Sequence, residues 1–273
     1  MNITIFETID STNSHALRLI DSASSQEELQ SLHKRLFVAK EQTAGRGRMN
    51  RPFYSPEKTG IYFSMIYVPK TSDEKNGNAI NFSPAVYTAT AGVCVCRVLE
   101  KMFGVKCFIK WVNDIYIEDK KVCGILTEGR VDASRGCISA FVVGIGINLV
   151  TSNFPKEIKD RAGRVLKNTA ELKEESYTDI PQTVFEEFLN IVDEKESASG
   201  KSTSRVADSM AEYKARSNLL GKTVSVSPVI NSSEGIYEAV VTDITDNALL
   251  KVKLSDGTTR ILDSGEVSVK MNL

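Results

Sequence analysis

The chain of 273 residues is poor in several features that define whole classes of protein. It has only two histidines, His15 and His33, which are too few and too isolated for a zinc site or a catalytic triad, so we expect no metal held by the protein itself. No apolar run approaches the ~18 residues that a membrane span needs, and the N-terminus lacks the basic and then apolar order of a secretory signal. We therefore predict a cytoplasmic protein without a membrane partner.

An excess of charge of one sign is also absent. The chain carries 34 basic and 35 acidic residues, a net charge of -1, which provides no general attraction for nucleic acid. The five cysteines are odd in number and lack paired spacing, and each lies in an apolar run. We predict that they are buried, reduced thiols rather than disulfides or metal ligands. They are Cys94, Cys96, Cys107, Cys123 and Cys137.

The chain does contain alternating strand and helix patterns. Ile3–Ile9 alternates like a strand, and the side chains of residues 10–13 are suited to cap a following helix. The polar stretch SASSQEE then predicts a loop, whereas Ser83-Pro84 predicts the start of a mostly apolar helix that ends before Gly104 and lies against a sheet. Further strands are predicted at Phe108–Lys110, Ile115–Glu118, Lys121–Arg130 and Ile138–Val150, and further helices at Pro181–Glu194 and Val206–Ser217.

The pattern changes near the C-terminus. After Gly221 the sequence consists of short strand-like runs separated by turn residues, and Asp256-Gly257 is a strong hairpin motif. We therefore predict two domains, a larger one at residues 1–218 and a small β-barrel at residues 219–273.

The loop GRGRMNRP, residues 45–52, is both cationic and flexible. It is not a dinucleotide fingerprint, because its sixth position is Asn50 and no helical pattern follows Pro52; it also lacks the Lys-Ser/Thr of a phosphate-binding Walker loop. One arginine side chain can donate two parallel hydrogen bonds to the oxygens of a carboxylate or phosphate. Glycine lets the backbone approach a ligand. The loop could fold over an anionic substrate, or it could be a solvated surface loop.

Two further motifs place polar groups beside strands. In KWVNDIYIEDKKVCGILTE, residues 110–128, strand alternation lets one of the paired lysines, Lys121, point inward as a cation for a carboxylate or phosphate; the alternative is a surface hairpin. In GIGIN, residues 144–148, two glycines at the end of a buried strand indicate close approach of a ligand or another backbone; the alternative is ordinary sheet packing.

Taken in order, these motifs resemble those of the biotin–protein ligases. The shared pattern is D-S-T-N at residues 10–13, Gln42, GRGR followed by SP, K-W-x-N-D, K-x-x-G-I-L-x-E and G-x-G-I-N, and it covers about residues 5–150. The resemblance implies an α+β fold: a mixed sheet with helices packed on one side, followed by a small SH3-like β-barrel. Because D-S-T-N begins at Asp10, the resemblance is to the monofunctional type without an N-terminal DNA-binding domain, and we expect no DNA partner.

The resemblance also implies a two-step reaction. Such ligases use ATP, with Mg²⁺, to convert biotin to biotinoyl-5′-AMP, and then transfer biotin to one lysine of a biotin carboxyl carrier protein. Joining a carboxylate to a phosphate of like charge requires cations, which these motifs contain. Two alternatives stay open: a lipoate or octanoate ligase or transferase of the same fold, and a non-catalytic biotin-sensing protein. The sequence leaves a homodimer open as well.

The resemblance assigns roles to individual residues. The catalytic residues it implies are Lys121, Arg48 and Asp114. The biotin-binding residues are Ser11, Thr12, Asn13, Gln42, Gly45, Arg46, Gly47, Arg48, Lys121 and Gly124. The ATP-binding residues are Arg46, Arg48, Arg51, Lys110 and Asn148. The chain departs from the family at Val112, where relatives have proline, and at Phe53, where tryptophan is common. Trp111 is the sole tryptophan, so no second one can stack on adenine.

Overall fold

The computed structural model describes residues 2–69, 83–132, 136–167, 172–193, 205–228, 235–263 and 267–271. The predicted linker EKESASGKSTS lies outside them. The strands are β1 (Asn2–Ile9), β2 (Arg35–Gln42), β3 (Gly60–Tyr67), β4 (Phe108–Lys110), β5 (Asp114–Ile117), β6 (Lys120–Asp132), β7 (Cys137–Asn148), β8 (Thr223–Pro228), β9 (Tyr237–Ile244), β10 (Leu250–Lys253), β11 (Thr259–Leu262) and β12 (Val267–Met271). The helices are α1 (Thr12–Ser22), α2 (Gln26–Ser31), α3 (Pro84–Phe103), α4 (Ser176–Val192) and α5 (Arg205–Ala215). None of these helices is long and apolar enough to cross a membrane.

A seven-stranded sheet forms the larger part of the molecule. Its order is β1-β2-β3-β7-β6-β5-β4, and only the β1–β2 pair is parallel, so the predicted mixed sheet is confirmed. Strand β7 lies between β3 and β6 and is buried from Ala140 to Asn148, as its continuous apolar sequence predicts. This central position brings the ends of β6 and β7 next to each other.

Helices cover both faces of this sheet, which corrects the prediction of helices on one side. On β2, Leu36 belongs to the core under α3 and α4, whereas the next residue, Phe37, belongs to a second core that includes Ala16 and Leu17 of α1. Successive side chains of a strand point to opposite faces, so α1 packs opposite α3. The apolar side chains of α1 are buried against the face of the sheet that α3 does not cover, and α1 therefore covers that second face.

Local capping explains where the helices begin and end. The Ser83 side chain accepts a hydrogen bond from the backbone N–H three residues on, and Gly104 ends α3 with φ 67°, both as predicted. The loop prediction for SASSQEE is wrong in its second half, because α2 starts there. Ser25 caps that helix and Glu28 accepts from the backbone N–H of Ser24, a reciprocal arrangement that stabilises even a short helix. Helix α4 begins at Ser176, before the predicted start.

The C-terminal residues form a second, antiparallel sheet with the order β11-β10-β9-β8-β12. The predicted hairpin at Asp256-Gly257 joins β10 to β11, and Gly257 has φ 87°. One continuous apolar core connects this sheet to the larger one. The Trp111 indole N–H also donates to the Ala248 carbonyl at 2.8 Å, so the K-W-V-N-D turn is anchored to the second sheet.

His15 gives the fold a dependence on pH. Its ring packs between Phe6 and Phe37 at centroid distances of 5.1 and 4.8 Å, and burial, followed by the nearby Arg18 charge, lowers its pKa below the usual 6.5. The unfolded chain therefore binds more protons than the fold near and below that pH, and the free energy of unfolding falls as the pH drops through it. We expect His15→Phe to reduce this loss, as measured by urea unfolding at about pH 7 and about pH 5. An unchanged pH dependence would contradict the assignment.

Candidate active site

The predicted site residues meet in one cavity of about 450 Å³. The cavity lies between the ends of β6 and β7, the start of α1 and the arginine–glycine loop, residues 45–52. Of the predicted residues, Ser11, Thr12, Asn13, Gln42, Arg46, Gly47, Arg48, Arg51, Lys110, Asp114, Lys121, Gly124 and Asn148 line it. Gly45 lies behind the wall, where a Cβ would meet the Phe53 carbonyl oxygen at 2.4 Å, so the absence of a side chain lets the loop pack.

Strand alternation places β6 side chains on the cavity. Gly124 and Leu126 face it, whereas Ile125 between them, although it also borders the cavity, directs its side chain into the core under α3. The register of the β6–β7 pair places Gly146 opposite Gly124 and Gly144 opposite Leu126. Three glycines therefore form part of the cavity floor on two adjacent strands.

Side chains occupy the space that these glycines leave. A Cβ at Gly144 would lie 1.7 Å from Asn13 Oδ1, and one at Gly146 would lie 2.4 Å from the Phe53 ring. A Cβ at Gly124 would meet Phe53 at 3.0 Å and Lys121 Nζ at 3.2 Å. The groups that approach the GIGIN strand closely are therefore side chains of the site itself rather than another backbone, and the approach of a ligand stays a prediction.

One end of the cavity is neutral and rich in hydrogen-bonding groups. Gln42 Oε1 accepts from the Thr12 backbone N–H at 2.9 Å, and Asn13 Oδ1 accepts from Ser64 Oγ at 2.6 Å. Ser64 Oγ also lies 2.7 Å from Thr12 Oγ1, and Gln42 Nε2 donates to Ser55 at 3.0 Å. Ser64, a lone hydroxyl within the otherwise apolar run GIYFSMIYV, was not among the predicted site residues. These groups match the edge of a neutral, amide-like ligand.

The next part of the cavity is cationic. Lys121 Nζ lies 2.6 Å from Asp114 Oδ1, so the two predicted catalytic residues form an ion pair. Arg48 Nη1 donates to Asn113 Oδ1 at 3.2 Å, and Asn113 in turn donates to the Ile125 carbonyl at 2.9 Å. Burial lowers the pKa of the Arg48 guanidinium, although a guanidinium stays charged at neutral pH. Lys121 therefore faces the cavity, as predicted, and the partly buried Arg48 also lines it.

The arginine–glycine loop is hydrogen-bonded to itself and to β6. The Gly47 N–H donates to the Arg51 carbonyl at 2.8 Å, around a single 3-10 turn at Arg48–Asn50. Both terminal N–H groups of Arg46 donate hydrogen bonds to the Glu128 carboxylate, at 3.0 and 2.9 Å. Glu128 received no role from the sequence, although it is the final residue of the K-x-x-G-I-L-x-E motif.

The far end of the cavity combines an amide with aromatic rings. Asn148 Nδ2 donates to the Gly163 carbonyl at 3.1 Å, whereas its buried Oδ1 has no hydrogen-bond partner among the described residues. Tyr54 and Phe154 line the same end, with ring centroids 6.3 Å apart, together with Ile158. This end offers a hydrogen-bond acceptor and flat apolar surfaces, which suit a planar base that carries an amino group.

Comparison with known proteins places the chain in a family. The model of the biotin/lipoate A/B protein ligase family matches residues 5–148. The "Bifunctional ligase/repressor BirA" of Bacillus subtilis is 40% identical over 129 residues, which are 46% of this chain and 37% of that protein. The "Biotin--[acetyl-CoA-carboxylase] ligase" of Paracoccus denitrificans is 30% identical over 140 residues, 51% of each chain. The matched part thus spans about half or less of these relatives.

Solved structures extend the similarity to the whole fold. The biotin protein ligase of Aquifex aeolicus, in complex with biotin and ATP, superposes with a TM-score of 0.72 at 23% identity and covers 99% of both chains. The Leishmania major enzyme, in complex with biotinyl-5-AMP, gives a TM-score of 0.57 at 19% identity over 96% of this chain and 99% of that one. At these identities the solved structures show a shared fold only. The match of residues 5–148 to the family model is what shows the family. The chain belongs to the biotin/lipoate A/B protein ligase family.

Proposed function

We propose that this protein is a biotin–protein ligase, which activates biotin with ATP to biotinoyl-5′-AMP and transfers biotin to a lysine of a biotin carboxyl carrier domain. The observation that carries the proposal is the order of groups along one cavity: neutral hydrogen-bonding side chains, then Lys121 and Arg48, then the end that contains Asn148. Biotin-5′-AMP has the same order, from the ureido ring through the acyl phosphate to adenine. The cytoplasm is the proposed location.

The neutral end would bind the ureido ring. Gln42 and Asn13 have amides that both donate and accept, and Thr12 adds a hydroxyl, so the ring's N–H and C=O groups can be paired without a charge. The backbone of Gly47 and Gly124, which lines the cavity, leaves room for the valeryl chain beside Phe53. The biotin carboxylate then reaches the cationic part of the site.

The first step joins this carboxylate to the α-phosphorus of ATP. A carboxylate oxygen attacks phosphorus, the bond to the bridging oxygen of the β-phosphate breaks, and pyrophosphate leaves with the electron pair. Lys121 would contact both the carboxylate and the α-phosphate, and Arg48 would contact the acyl-phosphate oxygens; their charges offset the repulsion between the reactants. Arg51, Arg46 and Lys110 lie along the same wall for the remaining phosphates.

In the second step the neutral amine of the carrier lysine attacks the acyl carbon. The bond from that carbon to the phosphate oxygen breaks, and AMP leaves. Asp114 faces the cavity beside Lys121, where its carboxylate would orient the amine and accept its proton. Closure of the arginine–glycine loop over the adenylate would exclude water from the mixed anhydride.

The far end of the cavity would bind adenine. Asn148 Oδ1, which has no partner in the described part of the chain, accepts from the exocyclic amine, and the aromatic rings of Tyr54 and Phe154 provide the flat surfaces that a second tryptophan would otherwise supply. Mg²⁺ would accompany the triphosphate, held by phosphate oxygens and water, and offset its charge. The described part of the chain brings together no group of three or more His, Cys, Asp or Glu side chains.

We further propose that residues 1–218 form the catalytic domain and that residues 219–273 form an SH3-like barrel. The support is the change from helix α5, which ends at Ala215, to five antiparallel strands that start at Thr223. The Trp111–Ala248 hydrogen bond joins this unit to the turn that carries Asp114.

The test is biotin-dependent exchange of pyrophosphate into ATP, followed by transfer of radiolabelled biotin to a carrier domain. A ligase for biotin performs both steps and rejects lipoate, because the dithiolane ring of lipoate cannot pair with the amides of Gln42 and Asn13. Transfer of lipoate or octanoate in place of biotin would favour the related ligases of this family. Binding of biotin without exchange would indicate a sensor.

A further inference from the structure

We propose that Glu128 is a positioning residue, which couples biotin binding at Asn13 to the placement of Arg46 in the arginine–glycine loop. The proposal rests on the proposed function, since it concerns how the same site binds biotin. Glu128 lies on β6, on the strand face that carries Gly124 and Leu126, and touches two parts of the chain that are distant in sequence.

The contacts of Glu128 support this coupling. Its Oε2 accepts from Asn13 Nδ2 at 3.0 Å and from Arg46 Nη1 at 3.0 Å, and its Oε1 accepts from Arg46 Nη2 at 2.9 Å. One carboxylate thus receives three donors, and one oxygen is shared between the residue proposed for the ureido ring and the loop. A shift of either neighbour changes the bond available to the other.

Glu128 also fixes the direction of the Asn13 amide. With Nδ2 donating to Glu128 and to the Leu126 carbonyl, Oδ1 is left to accept from Ser64. The glycine at position 144 allows Asn13 to lie flat on β7 in this orientation. These bonds orient the amide and attach the loop, and such pre-organisation lowers the ordering cost of binding.

The chain contains a matched control two residues further along the same strand face. Arg130 makes a paired bond to Asp21 of α1, at 2.7 and 3.0 Å, and neither residue lines the cavity. Asp21→Asn removes the carboxylate from the Arg130–Asp21 pair, just as Glu128→Gln removes the carboxylate from the Arg46–Glu128 pair. The two substitutions differ in whether the lost carboxylate contacts the site.

We expect Glu128→Gln to raise the biotin Kd about three- to tenfold, because the amide cannot accept from all three donors at once and lacks the charge. In the absence of ligand, trypsin should cut after Arg46 and Arg48 about threefold faster or more, as mapped by mass spectrometry. Asp21→Asn should leave both values at those of the wild type. Biotin binding is measured by calorimetry.

A double-mutant cycle separates positioning from a general loss of structure. If Glu128 acts through Arg46, Glu128→Gln should have little further effect on biotin binding in an Arg46→Gln background. Fully additive effects, an unchanged Kd in Glu128→Gln, or an equal loss in Asp21→Asn would each overturn the proposal. Should Glu128→Gln fail to fold, Asn13→Ser combined with Arg46→Gln tests the same coupling, and additivity there overturns it too.

Failure of the proposed function gives a different result. In that case the wild-type protein binds no biotin. Trypsin cleavage of the unliganded wild type, Glu128→Gln and Asp21→Asn still tests whether Glu128 keeps the arginine–glycine loop in place through Arg46. Unchanged cleavage in Glu128→Gln then overturns the inference.

Discussion

Lys121→Met should reduce biotin-dependent ATP–pyrophosphate exchange by at least about 100-fold, the loss typical when a group that stabilises transition-state charge is removed. Lys121 Nζ is placed beside Asp114 and above Gly124, within the cavity. Without this ammonium, Asp114 also adds an uncompensated negative charge beside two anionic reactants. The measurement is the exchange rate at saturating biotin and ATP.

The adjacent residue supplies the control for this substitution. Lys120 Nζ donates to the Asp160 carbonyl at 2.7 Å, and its side chain does not line the cavity. Lys120→Met should therefore retain exchange within about twofold of the wild type, since the loss of one exposed hydrogen bond costs little. Comparable activity of the two variants, with both folded by circular dichroism, would refute the role of Lys121.

Gly144→Ala should lower biotin affinity by about 30-fold or more and reduce the free energy of unfolding by about 2 kcal/mol. The added Cβ would stand 1.7 Å from Asn13 Oδ1, so the Asn13 side chain must leave its place. It then loses its bonds to Ser64, to the Leu126 carbonyl and to Glu128. Calorimetric titration measures the first effect and denaturant unfolding the second.

Gly92 on α3 offers the same substitution at a site with room. A Cβ there would lie 3.6 Å from Ile109 and 3.7 Å from Ile125, which is ordinary contact. Gly92→Ala should bind biotin as the wild type does and gain about 0.5–1 kcal/mol of stability from helix propensity. If Gly144→Ala also retained normal biotin affinity, the Asn13 region would not be the ring site.

The main features of this fold follow from local sequence. The strand at Ile3–Ile9, the cap at Ser83 and the hairpin at Asp256-Gly257 are each predicted by a pattern within one short segment, and all three are confirmed. The motifs also meet in one cavity, because they lie at the ends of strands, at the start of α1 or in the first part of β6. Such features depend on backbone geometry that a short segment already specifies.

The remaining features depend on contacts between distant segments. The bond from Arg46 to Glu128 joins residues in separate motifs, and no spacing rule relates them. The placement of α1 on the opposite face from α3 depends on which side of the sheet is left uncovered. Ser64 becomes a site residue only because β3 pairs with the glycine strand, where Ser64 faces Gly144. Sequence patterns predict the local structure around each residue in these contacts, but they do not predict which two residues meet.

The bond between Trp111 and Ala248 gives the protein a built-in optical reporter. Trp111 is the sole indole of the chain, it is 6% exposed, and it lies at once on the cavity wall and at the junction of the two sheets. Because this indole is almost fully buried, we expect its fluorescence to come from one environment and to emit at short wavelength. Any event that separates the sheets would admit solvent to that ring and move the emission toward the red, without a dye or a label.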